Sequence, residues 1–100
     1  MSIAENKYIR GRILRLLQIS YPYPVSEKVI YQSFLDIKLP VGETSLAGHC
    51  AYLREKGYIE SQPLEDRGLG IKMWVHKLAA LGIDLQEGNT PADPGIEIQN

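Results

Sequence analysis

One hundred residues with 44% apolar and 23% charged side chains bound the chain to one domain built on a single modest core. A net charge of −1 excludes nucleic-acid binding by bulk positive charge, the apolar runs are far short of a membrane span, and the polar stretch Met1–Lys7 lacks the core of a secretory signal. Cys50 is the only cysteine, so no intramolecular disulfide can form and a cytoplasmic location is expected.

The spacing of Ile9, Ile13, Leu16 and Leu17, widened by Tyr8 and Leu14, predicts a first helix from Glu5 to about Ile19. Tyr21-Pro22-Tyr23-Pro24 ends it, because each proline drives its predecessor out of the α region. A second helix is expected to start at an N-cap, Ser26, with Val25 and Ile30 at the spacing of a hydrophobic staple. Its buried side is read as Val29, Ile30, Phe34 and Leu35, and Asp36–Pro40 as the following turn. Val41, Gly42 and Leu46 repeat the same entry device for a third helix. Leu46, Cys50 and Leu53 lie on one side of it, and Gly57 stops it.

Strand character follows at once in Tyr58–Gln62. Pro63–Gly70 is rich in turn residues, and Ile71–Lys77 alternates in a second strand, with Ile71, Met73 and Val75 on one face and Lys72, Trp74 and His76 on the other. The two strands are read as a hairpin. Trp74 would then face the outer side of the hairpin or a partner, or lie partly buried over the core of its own domain. Leu78–Glu87 is expected as a short last helix with Leu78, Leu81 and Leu85 inward. Gly88–Asn100 is polar and aperiodic and is expected as a flexible tail, 88–100, behind a domain of residues 1–87.

The fold class is therefore α+β, mainly α: a three-helix bundle, a β-hairpin and a short C-terminal helix. That order resembles the winged helix-turn-helix superfamily of small prokaryotic regulators. The segments Tyr52-Leu53-Arg54-Glu55-Lys56-Gly57-Tyr58-Ile59 and Trp74-Val75-His76-Lys77-Leu78-Ala79-Ala80-Leu81-Gly82 carry the resemblance. Many members have a leucine-x-x-x-glycine junction after the third helix and a leucine-threonine-x-x-glycine step into the last one; here Ala79 stands in the threonine position. Gly82-Ile83-Asp84-Leu85 and Asp93-Pro94-Gly95 also resemble small winged-helix proteins of Mu-like phages and prophages.

The resemblance implies a DNA-binding transcriptional regulator that acts as a homodimer on double-stranded DNA, with the third helix in the major groove. Its outward face would be Thr44, Ser45, Gly48, Ala51, Tyr52 and Glu55, with His49 and Lys56 on one flank. Arg67 at the hairpin tip and Lys72 behind it would meet phosphates. The expected DNA-binding set is thus Thr44, Ser45, Gly48, His49, Tyr52, Lys56, Arg67 and Lys72.

The charge distribution permits this without requiring it. Residues 1–60 hold eight Lys/Arg against six Asp/Glu, and residues 61–100 hold three against six. Lys7, Arg10, Arg12 and Arg15 on the first helix could add backbone contacts, or form an ordinary solvated face. The third helix has no arginine for guanine and no Asn or Gln for adenine on its outward face. A protein-interaction winged helix without DNA readout is therefore the alternative. No cofactor, no metal and no membrane association are expected. His49, Cys50 and His76 invite a metal reading, but His49 and Cys50 diverge by about 100° on one helix and cannot easily share an ion, and Cys50 reads as a small core residue. No nucleotide loop or catalytic constellation is recognised, so an enzyme is not expected.

Overall fold

Helix α1 (Ile3–Ser20) begins where Ser2 Oγ accepts a hydrogen bond from Glu5 N at 3.1 Å, in a computed structural model that describes residues 2–100. A two-residue strand β1 (Val25–Ser26) leads into α2 (Glu27–Asp36), and α3 (Glu43–Glu55) follows. The hairpin β2 (Ile59–Asp66) and β3 (Ile71–Leu78) precedes α4 (Ala80–Glu87). Among the described residues the fold is α+β, about half helical, with four helices and one antiparallel sheet of order β1-β3-β2.

Local chemistry sets most of these boundaries. Ser26 Oγ caps α2 by accepting from Val29 N at 3.2 Å, and Gly42 stands at the N-cap of α3. Gly57 has φ +83°, the left-handed conformation that reverses the chain after α3. Its neighbour Tyr58 then donates to Leu53 O. The hairpin extends farther than its expected first strand, running through Pro63 to Asp66 in register with Ile71–Trp74. Pro63 is tolerated because β2 is an edge strand, so a missing N–H breaks no second ladder. Asp66 Oδ1 accepts from Leu69 N and holds the tip.

The core gathers Ile9, Ile13, Leu14 and Leu17 from α1, Ile30 and Phe34 from α2, and Val41, Leu46, Cys50 and Leu53 around α3. Ile59, Leu78, Leu85 and Ile96 complete it. The expected inward face of α3 is thus buried. Three expectations fail. Val29 and Leu35 on α2 are exposed, because the short helix buries only the narrow stripe through Ile30 and Phe34. β3 continues to Leu78, paired with Ile59, so α4 starts later and its phase leaves Leu81 exposed. The faces of β3 are also reversed: His76 and Leu78 point into the core, while Ile71 is exposed. Full burial in the hairpin is confined to its base, at Ile59, His76 and Leu78.

The segment 88–100 does not trail away as the expected flexible tail. It returns across α1: Glu97 N donates to Lys7 O, Gln99 Nε2 donates to Tyr8 O, and Ile96 is buried. Asp93 anchors the turn by accepting from Tyr58 Oη at 2.6 Å and Gly95 N at 2.8 Å. Gly11 makes the approach possible, since a Cβ there would overlap the Glu97 carbonyl. Among the described residues, no helix is long and apolar enough to cross a membrane.

Candidate nucleic-acid interface

Helix α3 rotates its side chains by about 100° per residue, so its buried stripe through Leu46, Cys50 and Leu53 leaves two flanks and an outer face. Thr44, Ser45, Ala47 and Gly48 are exposed, as are Arg54 and Glu55 in the last turn. The first half of the outer face is small and able to donate and accept hydrogen bonds at Thr44 and Ser45, and Glu55 adds a negative charge in the last turn.

The C-terminal segment claims the flank where three of the expected DNA contacts lie. His49 is buried, and its Nδ1 accepts from Arg10 Nε at 3.3 Å. Burial first, and the neighbouring Arg10 charge second, hold its pKa below the usual histidine value. Tyr52 is half-buried beneath the Arg10 guanidinium, which lies 3.9 Å from its ring centre. Lys56 pairs with Asp93 at 3.6 Å while remaining partly exposed. Burial raises the Asp93 pKa, but the hydrogen bonds from Tyr58 and Gly95 and the Lys56 charge outweigh it, leaving the carboxyl below its ordinary value. His49, Tyr52 and Lys56 therefore knit α3 to α1 and to residues 93–95, where the expectation put them toward DNA.

The cations of α1 are committed in the same way. Arg10 also donates to Gly95 O, Arg12 donates to Ser33 O and lies 5.6 Å from the Phe34 ring centre, and Arg15 donates to Gln18 Oε1. Arg10 and Arg12 thus tie α1 to other parts of the chain, Arg15 bonds within the helix, and none of the three arginines is fully exposed.

On the other flank, α3 faces the hairpin. Arg54, absent from the expected set, is exposed and lies 5.6 Å from the centre of the Trp74 ring. Its position three residues after Ala51 and seven after Ala47 was the available signal. Trp74 shares a strand face with His76 but lies beyond the core and is 45% exposed. An open groove of about 450 Å³ runs between α2, α3 and β3, lined by residues that include Glu27, Tyr31, Glu43, Leu46, Met73 and Trp74. Lys72 lines its outer end, and Arg67 is exposed at the hairpin tip.

Beneath the groove runs a row of polar side chains. Ser61 Oγ and His76 Nδ1 are 2.7 Å apart, and His76 Nε2 lies 2.8 Å from Glu27 Oε1. The connectivity is that of a hydrolytic relay, but the groove opens onto Glu27 and not onto Ser61, which leaves the hydroxyl without a substrate space beside it. Cys50 lies against Glu27; burial, with Glu27 adding to it, pushes its thiol up to about 12. No local motif announces this row, because Glu27 and His76 are 49 positions apart.

Comparison with protein-family models, with curated proteins and with solved structures gives no match.

Proposed function

We propose that this chain is a winged-helix protein that binds duplex DNA as a transcriptional regulator, with α3 as the reading helix and the β2–β3 hairpin as the wing. The observation that carries the reading is the outer face of α3. Thr44, Ser45 and Gly48 are exposed and uncovered by the rest of the chain, with the hairpin cations Arg67 and Lys72 exposed alongside. Thr and Ser reach base edges or phosphates, and a glycine permits close approach of the backbone. Lys28 on α2 and Arg54 in the last turn of α3 are also exposed. The DNA-binding set therefore becomes Thr44, Ser45, Gly48, Lys28, Arg54, Arg67 and Lys72, without His49, Tyr52 or Lys56. One short reading helix per chain is matched to a half-site, so a homodimer is part of the proposal.

Four exposed cations give a modest electrostatic contribution. The slope of log affinity against log salt is expected to be about −4 for one chain on a half-site and about −7 for the dimer on the full site, from about 0.9 per phosphate neutralised. Selection from a random duplex pool, followed by a salt titration on the enriched site, tests this. Arg67→Ala should weaken binding on all sequences alike, whereas Ser45→Ala should change which sequence is preferred. Failure to enrich any sequence, with no effect of Arg67→Ala on residual binding, would reject DNA readout.

A second reading is favoured by the apolar character of the hairpin. Leu64, Leu69, Ile71 and Trp74 are all exposed there, and aromatic and aliphatic anchors characterise protein interfaces. In that case the chain is an accessory domain whose hairpin meets another protein. Selection from the duplex pool separates the two readings: the accessory reading expects no enriched sequence and no effect of Arg67→Ala on residual duplex binding, whereas the DNA reading expects an enriched sequence and weaker binding by Arg67→Ala.

A further inference from the structure

We propose that Glu27, Cys50 and His76 form a binding site for a divalent cation of zinc type. Their ligand atoms (a carboxylate oxygen, Sγ and an imidazole nitrogen) all lie within 4.8 Å of one another. They come from three elements: the first residue of α2, the middle of α3 and the base of β3. Sulfur, nitrogen and oxygen donors in one cluster suit a borderline-soft ion such as Zn²⁺ or Co²⁺, and suit Mg²⁺ or Ca²⁺ poorly. Metal–ligand bonds of about 2.0–2.3 Å require only that the donors draw together around the ion while Glu27 and His76 move slightly apart.

Two further features make this more than a coincidence of donors. Ser61 Oγ sits 2.7 Å from His76 Nδ1, so an imidazole that ligates through Nε2 donates its remaining N–H to the serine. That is the supporting hydrogen bond that fixes tautomer and ring orientation in metal sites. Glu27 also lines the groove, and its side chain is 24% exposed, which supplies an entry path and leaves one coordination position facing solvent. On binding, the Cys50 thiol loses its proton to water. The thiolate and the carboxylate then neutralise the dication, so no net charge is left in the core.

Occupancy would tie the start of α2, the middle of α3 and the base of the hairpin to one point. The inference does not depend on DNA binding, and its test is read without DNA. Protein freed of metal by a chelator is titrated with Co²⁺ and followed by absorption. The expected result is one ion per chain, with a thiolate-to-cobalt charge-transfer band, visible bands of four-coordinate intensity, and displacement by Zn²⁺. Zn²⁺ should also raise the thermal midpoint, as any ligand confined to the native state does. Cys50→Ser should abolish the charge-transfer band. Glu27→Gln, at the most exposed of the three positions, should weaken Zn²⁺ binding by about tenfold or more, and Ser61→Ala by about tenfold. Circular dichroism checks that each variant is folded, and if Cys50→Ser is not, Glu27→Gln decides. Absence of the charge-transfer band in the unaltered protein, or unchanged Zn²⁺ affinity in Glu27→Gln, would overturn the proposal.

Discussion

Replacing Gly11 by alanine sets two physical effects against each other. Gly11 lies in the middle of α1, where alanine should stabilise the helix by about 1 kcal/mol. A Cβ at that position, however, would occupy the space of the Glu97 carbonyl. The C-terminal segment must then lift, exposing Ile96, worth about 2 kcal/mol. It also loses the bonds from Glu97 N to Lys7 O and from Gln99 Nε2 to Tyr8 O, about 1 kcal/mol each. The regained freedom of the released segment returns part of this, and the helix gain returns more. The net expectation is a loss of about 2 kcal/mol, or roughly a 10 °C fall in melting temperature for a domain of this size. Urea unfolding measures the change, and carboxypeptidase digestion should trim the variant faster than the parent chain. An increase in stability of about 1 kcal/mol would mean that helix propensity alone governs this position and that residues 96–99 do not rest on α1.

Leu53→Ala should cost about 2–5 kcal/mol in denaturant unfolding, because Leu53 is fully buried on α3 and leaves a cavity; a change of a few tenths would show that α3 packs by another face. The pH dependence of stability has a definite sign at His49. Its folded pKa lies below the ordinary 6.5, so the unfolded chain binds the extra proton, and His49→Gln should flatten the loss of stability that sets in as pH falls below that value. Tyr58→Phe should raise the Asp93 pKa by removing the 2.6 Å hydrogen bond to its carboxylate. The acid-induced loss of stability linked to Asp93, which starts as the unfolded chain protonates and stops once pH has fallen through the folded pKa, should then be smaller and end at a higher pH, as followed by unfolding at successive pH values; an unmoved acid limb would refute that anchor.

Local chemistry was enough to specify the elements. Ser26, Gly42 and Gly57 mark helix ends by capping and by left-handed backbone, and the period of Ile9, Ile13 and Leu17 names a buried stripe before any partner is known. The buried side of α3 follows from the same periodicity, as does the exposure of Thr44, Ser45 and Gly48. Other features depended on residues distant in the chain. β1 is two residues long and exists only because β3 lies beside it, with Val25 opposite His76. His49, Tyr52 and Lys56 are polar residues on a helix flank, and nothing nearby in sequence says that residues 93–95 return to cover them. The faces of β3 were misassigned because alternation states which side chains go together but not which side meets the core. The cluster of Glu27, Cys50 and His76 is the extreme case. Each residue is unremarkable in its own segment, and only the packing of α2, α3 and β3 brings a carboxylate, a thiol and an imidazole within reach of one ion.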